Sequence, residues 1–183
     1  TVDEAISLAN SLGGVPTIRI SPGTYEVSAT LALETAAILR GSTELRFDSI
    51  APTGAVKRGS ETRLVGTAEL GSTPLMVVGA PGQVLDGVQI SGLIFETPAA
   101  VGGLLELRRV QNIVIHDNLF VGTSAPAAST PGLSTFASSG VIHDVYMAGL
   151  LGGAFLAGGY PGSAADITFH SNRSVRNQNG LFL

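Results

Sequence analysis

Short apolar stretches separated by Gly, Asn, Asp or Pro run along most of the chain, and four of these stretches share one plan. Their matching positions are 25, 27 and 27 residues apart. One column of the alignment is apolar and the next is polar: Ile90, Ile115, Ile142 and Phe169 fill the first, and Ser91, His116, His143 and His170 fill the second. A repeat of this length is typical of the coils of a solenoid and is too short for a separate domain.

Outside these four stretches the pattern still predicts strands of about four to six residues, each closed by a turn residue. Short strands also build β-sandwiches, but a sandwich does not require columns of like residues at a fixed spacing, whereas stacked coils do. The sequence therefore predicts an all-β fold. The predicted fold is a parallel β-helix solenoid of about seven coils over residues 15–183, and we expect residues 1–183 to form one domain.

The start of the chain predicts a short helix that covers about residues 1–13. Thr1 and Glu4 have the spacing of a capping box, in which each side chain bonds the backbone amide of the other residue. Gly13-Gly14 supplies a stop signal. Apolar residues recur on one face of this helix, at Val2, Ala5, Ile6, Ala9 and Leu12.

Three longer stretches lack the strand pattern and are predicted as loops: Asp48–Glu61, Thr123–Ser138 and Gly149–Ala165. Long loops on a rigid scaffold often carry binding residues. The Pro/Ser/Thr-rich composition of Thr123–Ser138 also fits a plain spacer or a glycan carrier.

Composition narrows the possible partners. The formal net charge is −4 with a single lysine, so the chain has no overall basic field for a nucleic-acid backbone. No apolar run reaches the roughly 18 residues that a membrane span needs. Cysteine is absent, so disulfides and thiolate metal sites are ruled out. With only 13% charged residues, the surface must be rich in Ser, Thr, Gly and Asn, which suits a secreted or cell-surface protein.

The order of these motifs resembles a known family. A helix is followed by GGVPTIRISPGTYEV, AILRGS and TRLVGT, and then by coils that end in HDN or HSN. This order is similar to the right-handed parallel β-helix proteins of the pectin-lyase-like superfamily. The resemblance implies a right-handed solenoid whose open end is closed by the N-terminal helix. It does not decide the activity, because that superfamily includes lyases, hydrolases, esterases, epimerases, phage tailspikes and adhesins.

The polar column suggests a row of histidines on the outside of the solenoid. Strand side chains alternate between the two faces, so Ile115 is expected to point into the core and His116 outward. Neighbouring coils lie about 4.8 Å apart, which lets the rings stack. Two interpretations remain open: a structural ladder of like side chains, or a row of imidazoles that transfers protons near neutral pH. Asn118 and Asn172 are expected inside the following turn, in a structural role.

A second outward column runs through Ile94, Leu119, Tyr146 and Arg173. Uronate chemistry needs an arginine to neutralise the sugar carboxylate and a base to remove and return the C5 proton. Lyases and epimerases of the resembled superfamily use sets of this kind. The candidate catalytic residues are therefore His143, Tyr146, His170 and Arg173, with His116, Asp117, Asp144 and Arg176 as candidate substrate-binding residues.

No metal site is predicted. Asp117 and Asp144 fall in one column, and such a His-Asp pair could hold a metal through imidazole and carboxylate. No acidic cluster follows consecutive coils like the calcium site of pectate lyases, so calcium stays an open alternative without that support. The three-Asp arrangement of polygalacturonases and the Asp-Pro-His-Glu motif of mannuronan epimerases are also missing. No catalytic set of the family can be transferred residue by residue, and no cofactor is expected.

The sequence is compatible with two rival functions. The first is an extracellular β-helix that binds or processes an acidic polysaccharide, with lyase, epimerase or hydrolase chemistry if it is an enzyme. The second is a structural, adhesion or self-assembling fibre module. The apolar strand 181–183 at the end favours either further coils beyond it or end-to-end self-association, because a solenoid needs its last coil covered.

Overall fold

The computed structural model describes residues 1–45, 61–157, 166–177 and 179–182. In this part of the chain, parallel strands form three six-stranded sheets and one two-stranded sheet. Successive strands along the chain belong to different sheets, so the backbone winds around a common axis. The fold is all-β except for one N-terminal helix and short 3₁₀ turns, and it is a parallel β-solenoid as the sequence predicts.

The three large sheets take their strands in chain order. Sheet A contains β1 (Thr17–Arg19), β4 (Ile38–Arg40), β8 (Gln89–Ser91), β12 (Ile113–His116), β15 (Ser139–His143) and β18 (Asp166–His170). Sheet B contains β2 (Gly23–Val27), β5 (Thr62–Gly66), β9 (Ile94–Thr97), β13 (Leu119–Gly122), β16 (Tyr146–Ala148) and β19 (Arg173–Val175). Sheet C contains β3 (Leu31–Leu33), β6 (Pro74–Val78), β10 (Gly103–Arg108), β14 (Pro131–Phe136), β17 (Gly152–Ala157) and β20 (Asn179–Phe182). The small sheet pairs β7 (Leu85–Asp86) with β11 (Val110–Gln111).

The predicted column alignment is confirmed by the strand register. Ile115 pairs with Ile90 on one side and with Ile142 on the other, and Ile142 pairs with Phe169. Residues that are 25 to 27 positions apart in the sequence are thus direct neighbours on adjacent strands.

The described residues contain fewer coils than the seven expected. The reason lies between Arg40 and Ser91, which are direct partners on neighbouring strands. This single coil uses about twice the length of chain that the later coils use. Counting strands at a constant spacing therefore overestimates the number of coils.

The core lies inside the three sheets and is filled by alternate side chains. Ile113 and Ile115 are fully buried, whereas Val114 between them is half-buried. Phe95 and Phe120 stack across neighbouring coils with ring centroids 4.8 Å apart and an interplanar angle of 4°. Like side chains on successive coils thus pack face to face, which adds aromatic stacking to the burial of apolar surface.

The N-terminal helix α1 (Val2–Ser11) closes one end of this core. The capping box is confirmed: the Glu4 amide donates to the Thr1 hydroxyl, and the Thr1 amine donates to the Glu4 carboxylate at 2.7 Å. The helix ends slightly earlier than predicted, because Leu12 is already extended. Val2, Ile6 and Ala9 are buried and belong to the same apolar cluster as the solenoid core.

Asn10 completes the cover at this end. Its side-chain amide donates to the Ala32 carbonyl at 2.8 Å and accepts from the Glu34 amide at 2.9 Å. These two bonds satisfy backbone groups on the outer edge of β3, where the next strand would otherwise bind. The helix and its asparagine therefore protect the first coil from pairing with another strand.

The loop predictions are partly wrong. Thr123–Ser138 contains the 3₁₀ turn Pro126–Ser129 and the strand β14, which pairs with β10 and β17. Leu133 of β14 is fully buried, so its Pro/Ser/Thr-rich surroundings concealed a core strand. Gly149–Ala165 likewise contains β17. Most of the predicted loop Asp48–Glu61 lies outside the described residues.

Within the described ranges, no helix is both long and apolar enough to cross a membrane. The assignment of residues 1–183 to one domain stays a prediction.

Candidate binding face

The turn from sheet A to sheet B places one outward side chain per coil at the same corner. The residue that directly follows the strand of sheet A has a left-handed backbone in four successive coils. Its φ is +67° at Gly92, +54° at Asp117, +52° at Asp144 and +55° at Ser171. Gly and Asp tolerate this conformation better than β-branched or bulky residues do. The preceding residue in three of these coils is a histidine.

Asn118 holds this turn together from inside. Its side chain accepts from the Leu93 amide at 3.0 Å and donates to the carbonyls of Ile90 and His116 at 2.9 Å each. Asn172 makes the corresponding bonds to Val145 and Ile142 at 2.9 Å. The buried Val145 occupies the place between them. The two asparagines thus have the structural role that the sequence suggests.

The three histidines stack in a row along the solenoid, as predicted. The ring centroids of His116 and His143 are 5.2 Å apart, and those of His143 and His170 are 5.1 Å apart. The interplanar angles are only 5° and 3°. The rings are therefore nearly parallel copies of one another, which we call the histidine column (His116, His143 and His170).

A neighbouring side chain orients each ring. Nδ1 of His116 lies 2.7 Å from Asp117 Oδ2, and Nδ1 of His143 lies 2.7 Å from Asp144 Oδ2. Because a carboxylate only accepts hydrogen bonds, Nδ1 carries the proton and donates it in both pairs. His170 contacts the Ser171 hydroxyl at 3.2 Å instead. Among the described residues, His116 and His143 thus each have an adjacent carboxylate, whereas the neighbour of His170 is a hydroxyl.

The second ring nitrogen distinguishes these two histidines. The Gln89 amide nitrogen lies 2.8 Å from Nε2 of His116, so both ring nitrogens of His116 are bonded within the protein. Val114 occupies the position of Gln89 one coil further on, and it has no donor to offer His143. Among the described residues, Nε2 of His143 therefore has no hydrogen-bond partner. His143 combines an orienting carboxylate with an available lone pair, which is the arrangement of a general base.

Two stacked rings of this column are too far apart to bind one Zn²⁺ ion together. Two imidazole nitrogens that bind one Zn²⁺ lie at most about 4 Å apart, since each Zn–N bond is about 2.0–2.1 Å. Parallel rings of like orientation at 5.1 Å place their Nε2 atoms further apart than that. In the described part of the chain, no group of three His, Asp or Glu residues could hold a metal ion.

Tyr146 and Arg173 are neighbours, but their surroundings differ from the expectation. Their Cα atoms are partners on adjacent strands, as the column alignment predicts. Tyr146, however, is only 1% exposed, and Arg173 is half-buried. A second apolar cluster on the outer side of sheet B encloses the tyrosine, made of Ile94, Leu119, Val121 and Ala148. The expected exposed phenol is therefore not available at the surface.

The remaining candidates lie around the same corner except for one. Asp117 and Asp144 are partly exposed, with side-chain exposures of 50% and 42%. Arg176 is exposed but follows the end of β19, three residues beyond Arg173. At about 3.3 Å per strand residue, this puts it roughly 10 Å further along the chain from the corner.

Three residues on this face were missed by the sequence analysis. Gln89 bonds His116. Its position two residues before Ser91, on the same face of the strand, was the sequence signal that could have placed it beside the histidines. The other two are Arg19 and Arg40: Arg19 pairs with Arg40, and Arg40 pairs with Ser91, which in turn pairs with His116. The outward column thus continues from the histidines to the first coil as Arg19, Arg40, Ser91, His116, His143 and His170.

An open hollow lies beside Ser91 and His116 in this column. The hollow has a volume of about 460 Å³ and a largely polar wall. It is lined by Gly41, Thr43, Glu44, Leu45, Ser91, Gly92, His116 and Asp117. The surface beside His116 is therefore a shallow groove.

Comparison with protein-family models, with curated proteins and with solved structures finds no match for this chain. The class that the structure defines is a parallel β-solenoid with a helical N-terminal cap and a stacked histidine column.

Proposed function

We propose that the protein binds an acidic polysaccharide along the histidine column, outside the cell or at its surface, and that His143 is the base if the polymer is also processed. The observation that carries this proposal is the hydrogen bonding of the two ring nitrogens of His143. Asp144 fixes its Nδ1 at 2.7 Å, and no described group occupies its Nε2.

The proposed chemistry starts at C5 of a uronate unit. Nε2 of His143 takes the C5 proton, and Asp144 stabilises the imidazolium that forms. The electron pair of the broken C–H bond then has two outcomes. In elimination it forms a C4–C5 double bond while the bond from C4 to the glycosidic oxygen breaks, and that oxygen leaves with the electron pair of this bond and takes a proton from water. In epimerisation a proton from water returns to C5 from the opposite side, and the electron pair forms the new C–H bond.

Two of the other predicted catalytic residues keep a place in this proposal. Arg173 would neutralise the sugar carboxylate, which makes the C5 proton easier to remove. The ring centroid of His170 lies 5.1 Å from that of His143 on the same face, and His170 would contact the sugar. Tyr146 is left out of the proton transfer because its side chain is buried.

Membership of the pectin-lyase-like superfamily is part of the same proposal. The parallel solenoid and its helical cap support it. Such a fold hosts several activities, so the fold alone does not select lyase, epimerase or hydrolase chemistry. The low content of charged residues and the absence of cysteine suit a secreted or cell-surface location.

Asp144→Asn tests the catalytic part, with Asp117→Asn as the matched control. Both aspartates occupy the same turn position and bond their histidine at the same distance of 2.7 Å. We expect Asp144→Asn to lower turnover of a polyuronate by about 10²–10⁴-fold. Asp117→Asn should stay within a few-fold, because Gln89 already occupies the other nitrogen of His116. Turnover is measured from the ultraviolet absorbance of unsaturated sugar ends, and epimerisation from proton NMR of the polymer.

Equal losses in the two variants would contradict the role of His143. If wild-type protein removes no polyuronate from solution in a depletion assay, the binding proposal itself fails.

The alternative function, a structural or adhesion module, is favoured by one specific observation. Both ring nitrogens of His116 are bonded within the protein, which is what a purely structural ladder requires. Light scattering over a range of concentrations tests self-association. Assembly that persists at low concentration, together with no affinity for polyuronates, would favour this alternative.

A further inference from the structure

Arg19 and Arg40 form an unusual pair at the first two coils of sheet A. Their Cα atoms are direct partners on β1 and β4, and both side chains are exposed. Adjacent strands lie about 4.8 Å apart, so two positive charges stand side by side. Like charges directly opposite each other on neighbouring strands destabilise a sheet.

No carboxylate in the described ranges forms an ion pair with either arginine. Other arginines do have such partners: Arg63 contacts Glu96 at 2.7 Å, and Arg108 contacts Glu106. The chain as a whole has four more acidic than basic residues. Two adjacent arginines without a described counter-charge, in an acidic protein, favour a ligand that supplies the negative charge.

The pair is in line with the candidate binding face. Arg40 is separated from His116 by the single residue Ser91, which lines the hollow described above. From Arg19 to His170 the column crosses five strand spacings, which is about 24 Å. A ligand that contacts both ends of the column must therefore be extended and must run parallel to the solenoid axis.

We propose that Arg19 and Arg40 form a carboxylate-binding subsite that holds an acidic polysaccharide at the N-terminal end of the histidine column. This inference rests on the proposed function and deepens it. A guanidinium presents parallel N–H donors that match a carboxylate. The subsite makes the protein selective for carboxylated polymers over neutral ones and for long chains over short ones.

The experiment compares the double variant Arg19→Gln/Arg40→Gln with the control Arg108→Gln. The probes are polygalacturonate, short galacturonate oligomers of two or three units, and neutral dextran, each measured by isothermal titration calorimetry. Arg108 is an exposed arginine on sheet C, away from the column, so its variant is the control for the loss of one positive charge, with which the single variants Arg19→Gln and Arg40→Gln are also compared. Thermal unfolding of each variant verifies that the fold is kept.

We expect the double variant to bind polygalacturonate at least 10-fold more weakly than wild type, with Arg108→Gln within 2-fold. Wild type should bind the short oligomers more weakly than the polymer, because two or three sugar units cannot contact both ends of a column that is about 24 Å long. The wild-type affinity for the polymer should fall with added salt, because salt screens the attraction between the arginines and the carboxylates. The double variant lacks this attraction, so its affinity should depend less on salt.

Other results overturn the subsite in distinguishable ways. If the double variant binds the polymer as wild type does while His143→Ala weakens binding, the subsite is wrong and the proposed function stands. If wild type binds no polyuronate, both proposals fall. If dextran binds equally well, or if double-stranded DNA or inorganic polyphosphate binds more tightly than polygalacturonate, the carboxylated polysaccharide is not the ligand.

Discussion

Replacing Asn118 with alanine should destabilise the solenoid more than any exposed change on the same face. The variant removes the acceptor for the Leu93 amide and the donor for the Ile90 carbonyl. Leu93, Ile90 and Asn118 are all fully buried, so water cannot replace these bonds. Each of these two buried groups left without a partner costs about 1–3 kcal/mol, which gives a loss of about 2–6 kcal/mol. That is a large part of the total stability of about 5–15 kcal/mol that is usual for a domain.

Asn172→Ala is the matched control because its side chain makes the same bonds to Val145 and Ile142 in a later coil. Asn172 is only half-buried, so water reaches the vacated positions and the loss should be about 1 kcal/mol. Urea denaturation followed by circular dichroism measures both changes as shifts of the midpoint at constant slope. A loss below about 1 kcal/mol for Asn118→Ala, or equal losses in the two variants, would refute the argument from burial.

Two further predictions concern packing. Gly140→Ala should cost about 2 kcal/mol or more, because a Cβ there would lie 2.1 Å from the Ile113 carbonyl oxygen and φ is +143°. Gly103→Ala, whose Cβ would lie 3.8 Å from its nearest neighbour, is the control and should change the free energy of unfolding by less than about 1 kcal/mol. Tyr146→Ala should lower the free energy of unfolding by about 3–5 kcal/mol, since the ring is enclosed by the second apolar cluster. A stability close to wild type in urea denaturation would show instead that this tyrosine is exposed in solution, as the sequence analysis expected.

The sequence was sufficient to predict the histidine column because the three coils that carry it have nearly equal lengths. A spacing of 25 to 27 residues was enough to bring Ser91, His116, His143 and His170 into register. The same reasoning could not reach Arg40, since the coil between Arg40 and Ser91 has about twice that length. A variable insertion leaves the strand spacing in space unchanged but removes the period from the sequence.

The exposure of Tyr146 could not be predicted for a different reason. Alternation along a strand tells which side chains leave the core, but it does not tell whether something covers the outer side of the sheet. Here Leu45 and Val175 pack against the outer cluster that contains Tyr146. Similarly, the strand β14 was missed because its buried Leu133 is surrounded by residues that are typical of loops.

The residue with the left-handed backbone at each corner can be exchanged for another residue type without a change of backbone conformation. Glycine, aspartate and serine all fit the same backbone there, at Gly92, Asp117, Asp144 and Ser171. Aspartate alone adds a carboxylate that orients the preceding ring, so a single codon change can install or remove that support without disturbing the winding of the chain. Natural variants or engineered proteins with additional coils could lengthen this surface, with the carboxylate support of each imidazole set by the residue at its own corner.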